Sequence, residues 1–500
     1  MLFKITFFAA AALSSLAAST LAGPLECGTA KVEITDRDAG PVNDPAFAKA
    51  LVLRKDGITT VILTLDAVAV GEIGRVPANF LPKLREKLNS DFNIQPAHVL
   101  VTASHCHAIV KPDLLTLALA AVREAVSQMA PSKAGMGVAY ENRISENRRF
   151  TLLDGSEADM RRAYSMPKDG DVARVGPIDP EVGILKIEKP DGTPLAVVYN
   201  FACHPIMNPP SKGNSADFPG FSSKLIEDTL GHGAMAFFIQ GCAGDINPIR
   251  YKDATSTPDA EPLGLMLAGS VIKSLHAIQT QSNPTLEMST RQLRVPAAKN
   301  YDTRINLIET ERQSLLNSLR PTNINFKSFL PLFIQHGIWP DAPSRHIQSY
   351  LHDQSQGRAP LKQQDADNKK AIESYLSNIE AMEKLTRLNT NLALLKKHQK
   401  HVQSLPERSL AAEICSLRVG EFRLITFPGE LTVGVGLEIK KKAAPKQVFV
   451  AGYTNGYLYY APTAAQLQNT GYAQEDCDTL LAPEWHTQFE ASALEIIGGL

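Results

Sequence analysis

The segment "TASHCHAIVKP" (102–112) places two histidines around one cysteine, directly after the apolar run "AHVLV". On an extended chain His105 and His107 face one way and Cys106 the other. Two imidazoles on one face can share a metal ion, or one can hold the ion while the other accepts a proton. The same trio also suits half of a disulfide, or a strand end whose polar groups are hydrogen-bonded to their neighbours, and an HxH pair alone does not choose among them. Three further stretches end an apolar run in ionisable or small residues: "FACHP" (201–205), "QGCAGDINP" (240–248) and "FPGE" (427–430). Open α/β sheets carry their sites past such strand ends. His204 and Glu430 would complete a His-His-carboxylate set of the zinc-hydrolase kind, although Glu430 also reads as an acid in the first turn of a helix. A tyrosine-rich stretch (452–472) reads as loop, and thiolates from Cys106, Cys203 and Cys242 form a competing metal set.

The elements that must position these residues alternate in type. "ALVLRKDGITTVILTLDAVAV" (50–70) predicts a hairpin turning at Lys-Asp-Gly, and "VGILKIEKPDGTPLAVVYNFACHP" (182–205) predicts a second. Helical spacing appears at 80–92, 114–129, 223–230, 263–279 and 483–498, and short buried strands at 97–104 and 234–241. Hairpins cannot be parallel, so the fold class is α/β or α+β with a mixed β-sheet core flanked by helices. Residues 300–408, rich in Gln, Lys, Asn and Glu, read as a helical insertion with an irregular stretch at 352–368.

The chain has 500 residues, 44% hydrophobic and 21% charged, with a formal net charge of -1. That is a globular balance, and it lacks the basic excess that broad nucleic-acid binding requires. "MLFK", an apolar run and "STLAG" read as a signal peptide over residues 1–22, leaving one domain over 23–500, secreted or periplasmic, without a later membrane span. All six cysteines follow that cleavage point and allow up to three disulfides.

Taken together and in order, "SHCHAIVKP", "NFACHPIMN" with "SADFPGFSSKLIE", "QGCAGDINP", "FPGE" and "NGYLYYAPTAAQLQNTGY" resemble the catalytic domain of the neutral/alkaline ceramidase family. The likeness runs from about Cys27 to the C-terminus and is weakest across 300–408. It implies an exported hydrolase of a linear small-molecule or lipid amide, the lipid being reached at a membrane surface, with zinc held by His105, His204, Glu430 and Tyr460. Tyr460 is preferred to Tyr457 or Tyr459 because the family pattern sets a second functional tyrosine twelve positions on, here Tyr472. The resemblance further implies catalytic roles for His107, Arg148 and Tyr472, and supporting roles for Asp217 and Asp245.

The chain departs from the family in three places. Asn247 stands where the family motif has serine, so an alcohol nucleophile is replaced by an amide and attack by water is favoured. "HCHAIVKP" lacks the usual Ser-Gly, and a member without the family's immunoglobulin-like C-terminal domain is expected. A metallohydrolase of the same fold acting on another amide, an ester, a sugar N-acetyl group or a phosphoester is the alternative. From a different class, so is an exported protein with structural zinc and no catalysis; an unligated His107 beside the metal favours catalysis.

Overall fold

The computed structural model describes residues 23–500 apart from 161–166, 252, 254, 341–344, 472 and 500. The signal-peptide segment and Tyr472 therefore lie outside the described residues. Strands β1 (Glu26–Glu33), β2 (Phe47–Lys55) and β3 (Ile58–Leu65) run antiparallel. Asp56 and Gly57 join the last two, both at positive φ (51° and 81°), the backbone a two-residue hairpin turn requires. Helix α1 (Phe80–Phe92) crosses over and delivers β4 (Val99–Ala103) parallel to β3. Helix α2 (Leu114–Ser127) returns over the sheet, and short β5 (Ala130–Pro131) closes its far edge beside β1.

A second sheet has the order β13-β12-β11-β6, from β6 (Lys133–Tyr140), β11 (Glu181–Glu188), β12 (Pro194–Phe201) and β13 (Met235–Gln240). Before β11 the chain makes β7 (Ser145–Asn147), then β8 (Arg149–Leu152), β9 (Glu157–Asp159) and β10 (Val172–Val175), which form a small separate sheet centred on β8. Helix α3 (Asp217–Leu230) connects β12 to the parallel β13. Strand β14 (Ile246–Pro248) pairs with β7, and α4 (Glu261–Leu275) packs on α3.

The third sheet begins with β15 (Leu286–Pro296). The chain then leaves it for α5 (Tyr301–Ser318), α6 (Phe326–Ile338), α7 (Ile347–Ser355) and the 44-residue α8 (Pro360–Gln403). It returns as β16 (Ser409–Val419), which pairs with β15 along its whole length, from Leu286↔Val419 to Pro296↔Ser409. The irregular stretch predicted at 352–368 is mostly helical. Its Gln and Asn side chains are unspecific, whereas Tyr350 on α7 bonds Asp365 on α8 and ties the helices together. Strands β17 (Phe422–Thr426), β18 (Glu430–Leu431), helix α9 (Val433–Ala443), β19 (Phe449–Ala451), β20 (Tyr460–Ala461), α10 (Gln474–Cys477) and α11 (Glu484–Gly499) complete the chain.

The three large sheets meet in one core. Along β2, Leu51 and Leu53 point into it, beside Leu185 and Val198 of the second sheet and Leu424 and Phe449 of the third. The alternate residues Ala50 and Val52 face α1 and α2 instead, as the two-residue period of a strand requires. On its outer face the third sheet packs against α9, α11 and the inner parts of α5 and α8, where Leu388, Leu392 and Leu395 are buried. Each such leucine contributes roughly 2 kcal/mol of burial free energy. All six cysteines are buried and none is in a disulfide. The crosslinks the sequence allowed are absent, and the thiols pack as small apolar groups.

Candidate metal centre

His105 follows β4, His204 follows β12 and Glu430 opens β18, so three separate strand ends supply one cluster. Their ligating atoms lie within 4.8 Å of one another, and all three side chains are buried. His105 is not extended. Its φ of 69° is left-handed, a strained state for a residue with a Cβ, and its amide bonds the Ala67 carbonyl at 3.0 Å. The alternation argument for "SHCH" therefore fails in detail, yet the His105 and His107 rings still lie 5.9 Å apart. His107 is exposed, whereas Cys106 is fully buried.

Both ligand histidines are oriented from behind. Nδ1 of His105 is 2.6 Å from the Val68 carbonyl, and Nδ1 of His204 is 3.0 Å from the Ile246 carbonyl. A carbonyl only accepts, so each ring is protonated on Nδ1 and turns Nε2 inward, the usual arrangement for a metal-bound imidazole. The two Nε2 atoms reach one oxygen of Glu430, at 3.5 Å and 3.1 Å. Burial, with the Arg148 charge, pulls His204 down to about 3 against the pull of Glu430, so the ring is neutral. Glu430 is held well below the ordinary carboxylate range although burial opposes it, chiefly by positive charge at the His105 and His204 positions, which a cation bound by the neutral rings would supply, and by the Tyr457 hydroxyl. Two nitrogen lone pairs thus converge on a carboxylate oxygen. A divalent cation between them satisfies all three, and the donor set fits zinc.

Tyr453, which the sequence did not single out, and Tyr457, an alternative to Tyr460 there, hold the carboxylate. The Tyr453 hydroxyl donates to Glu430 Oε2 at 3.2 Å and the Tyr457 hydroxyl to Oε1. Burial first, and the Glu430 charge second, push both phenols well up, so they remain donors. The Tyr453 ring also lies 4.4 Å from that of His105. Tyr460 pairs backbone to backbone with Glu430 across β18 and β20, and its ring is stacked with His204 at 6.5 Å. The hydroxyl spacing of "GYTNGYLYY" could not sort these roles, because the loop is irregular.

Arg148 is fully buried with its guanidinium 5.5 Å from the Tyr460 ring. It donates to Glu475 at 2.6 Å, to Asn247 at 3.1 Å and to the Gly244 carbonyl. Arg149 bonds the other Glu475 oxygen and Asp476. Glu475 was not foreseen; nothing local marks an acid 327 residues from its arginine. Asp245 and Asp217 shape the backbone around the ligands. Asp245 accepts from the Val433 amide at 2.8 Å, so it is the acid at the start of α9, a place the sequence also suggested for Glu430. Asp217 accepts from the Asn208 and Phe218 amides at 2.6 and 2.7 Å, fixing the loop after His204. Gly244 is required here: a Cβ would lie 2.6 Å from the Glu430 carbonyl.

Gln240, also unforeseen, links the two histidine segments. Its Nε2 donates to the Ser104 and Cys203 carbonyls at 3.2 and 2.8 Å, and its Oε1 accepts from the Cys203 and Gly241 amides at 3.4 and 3.1 Å. A second group, Glu438, His486 and Glu490, lies between α9 and α11. There His486 Nδ1 accepts from the Ala464 amide, which places the ring proton on Nε2 and leaves no lone pair for an ion.

No protein-family model and no curated protein matches the sequence. Among solved structures, neutral ceramidase from Pseudomonas aeruginosa is similar over 95% of this chain and 75% of that one, with a TM-score of 0.59 at 16% identity. The fold is that of neutral ceramidase. A ceramidase structure complexed with C2 is similar to the same extent, with a TM-score of 0.59 at 15% identity. Identity this low carries the ceramidase fold alone, and the motif resemblance and that fold agree. On it, Asn247 is buried with its oxygen on Arg148, so the residue in the serine position serves the arginine.

Proposed function

We propose that the chain is an exported zinc-dependent hydrolase of a linear amide bond, with an N-acyl sphingoid lipid of the ceramide kind as its substrate. The observation that carries the reading is the convergence of two Nδ1-anchored histidines on the doubly hydrogen-bonded Glu430. His105, His204 and Glu430 would hold the ion, with Tyr460 as the fourth ligand. Zinc supplies a Lewis acid and lets water act as the nucleophile near neutral pH. His107, exposed beside His105, takes the proton that water loses and returns it to the leaving amine. Arg148, held by Glu475 over the Tyr460 ring, keeps positive charge beside the site. Tyr472 is assigned hydrogen bonding to the substrate. The fully buried ligands and the exposed His107 together favour catalysis over a closed structural site.

The test is hydrolysis of a panel of N-acyl substrates, ceramide included, before and after chelation and with zinc restored. Zinc content is measured in parallel on the wild type and on His105→Ala. Loss of both metal and cleavage in the variant is expected; cleavage that survives chelation, or full activity in His105→Ala, overturns the reading. Cleavage of short sugar amides alone would move the substrate class.

A further inference from the structure

Helix α6 presents apolar side chains to solvent. Phe326, Leu330, Phe333, Ile334 and Ile338 are 42–62% exposed. At 100° per residue they occupy a face roughly 140° wide. The flank of this face anchors the helix: Phe329 is buried, with its ring stacked at 4.4 Å on Tyr375 of α8 and at 5.3 Å on Phe333. The preceding loop is fixed as well, because Asn378 on α8 both accepts from and donates to the Arg320 backbone at 2.9 and 2.8 Å. The face is thus a rigidly held surface. Trp339 ends the helix at 63% exposure, and Ile379 and Met382 on α8 extend the apolar area beside Tyr375.

The charge on α6 and the loop before it has one sign, while Asp341 follows the helix in sequence and Glu383 stands beside Met382 on α8. From Arg320 to Pro340 the chain carries Arg320 and Lys327, both exposed, and no Asp or Glu, in a protein with 52 acidic residues. An apolar helical face that itself bears no carboxylate, with cations at its start and a tryptophan at its end, is the chemistry that lies in a lipid headgroup boundary. The 13-residue helix is about 20 Å long, shorter than a bilayer core, so it can lie in the surface but not cross it. We propose that α6 docks the protein on an anionic lipid surface through Phe326, Leu330, Phe333, Ile334 and Trp339. Glu383 lines both the cavity beside Met382 and a cavity of about 460 Å³ that reaches Gly471. Both cavities bring carboxylates, so the docked face ends beside Met382. Docking does not depend on the amidase reading, and vesicles without any amide-linked lipid keep the two tests separate.

The chain contains two tryptophans, Trp339 exposed and Trp485 fully buried, so vesicle-induced changes in emission report on Trp339. The full chain is titrated with phosphatidylcholine vesicles with and without phosphatidylglycerol. A blue shift, quenching by brominated acyl chains and protection from iodide are expected, with several-fold weaker binding when phosphatidylglycerol is left out. A Leu330→Glu/Ile334→Glu variant, altered only at exposed positions and checked for an unchanged circular dichroism spectrum, should lose at least about tenfold in partitioning. Trp339 that stays open to iodide at saturating anionic vesicles overturns the proposal. So does a variant that partitions like the wild type. A wild-type dimer that already shields Trp339 without lipid, and dissociates in the variant, would assign the face to a second copy and overturn lipid docking as well.

Discussion

Replacing Gln240 by glutamate changes one atom type at the junction of the two histidine segments. Gln240 is fully buried, and its Nε2 serves two carbonyls while its Oε1 serves two amides. A glutamate of the same shape keeps the accepting oxygen but turns an oxygen toward both carbonyls. It can stay only if protonated, donating to the nearer carbonyl, Cys203 at 2.8 Å in the wild type, and leaving that of Ser104 without a donor. The orphaned carbonyl costs about 1–3 kcal/mol at any pH. Holding the proton on a carboxyl whose unfolded value is about 4.3 costs about 3.7 kcal/mol at pH 7 and about 1 kcal/mol at pH 5. The sign follows from the raised folded-state value: relative stability is recovered as pH falls. Urea unfolding of wild type and Gln240→Glu, with chelator present throughout, gives the difference at each pH, and other titrations cancel in it. A loss about 2.7 kcal/mol smaller at pH 5 than at pH 7 is expected. Equal destabilisation at the two pH values, or a variant as stable as the wild type at pH 7, would refute the placement of Gln240.

Three other outcomes follow from the same geometry. Zinc at 1,000 times its dissociation constant should stabilise the protein by about 4 kcal/mol in thermal unfolding, and the gain should vanish in Glu430→Gln. Tyr457→Phe removes a hydrogen bond to an ionised, buried carboxylate; direct metal titration should show zinc affinity lower by about 10- to 100-fold, with the fold intact by circular dichroism. Burial pushes the Asp217 carboxyl up to about 6, although the Phe218 and Asn208 amides oppose it. Folding is thus penalised as pH rises above the unfolded value, by about 3 kcal/mol at pH 7. The stability of Asp217→Asn relative to wild type should improve between pH 4 and pH 7, read from urea midpoints; an unchanged difference would contradict the shift.

What could be read in advance was what local chemistry encodes. The Asp56-Gly57 turn, the strand runs and the abrupt polar strand ends carry their meaning within a few residues, so the hairpins and the strand-end places of His105 and His204 were legible, whereas Glu430 read locally as a helix-start acid and joined them only through the motif resemblance. Partnerships across the chain were not. Gln240 looks like one more polar residue at a strand end until β4 and β12 lie on either side of it. Tyr453 and Tyr457 differ from Tyr460 only in where an irregular loop aims them. Glu475 has no neighbour in sequence that hints at Arg148. The helices over 352–368 were hidden for the opposite reason: their surface composition is neutral about structure, and packing on α8 decides it.

The pairing of Pro296 with Ser409 means that the chain departs from the third sheet and rejoins it at a single rung. For the strands on either side, everything between is an excursion with no net displacement, and its length is almost free to drift. Doubling such a loop costs only about 0.6 kcal/mol in closure entropy. Drift is restrained near the base, where Tyr301, Ile308, Leu388 and Leu395 are part of the core, and relaxed at the tip, which is fastened by contacts such as Phe329 on Tyr375. The outer half can therefore be lengthened, shortened or exchanged between proteins as a cassette while the register of the strands beneath it, and the metal ligands at their ends, stay where they are.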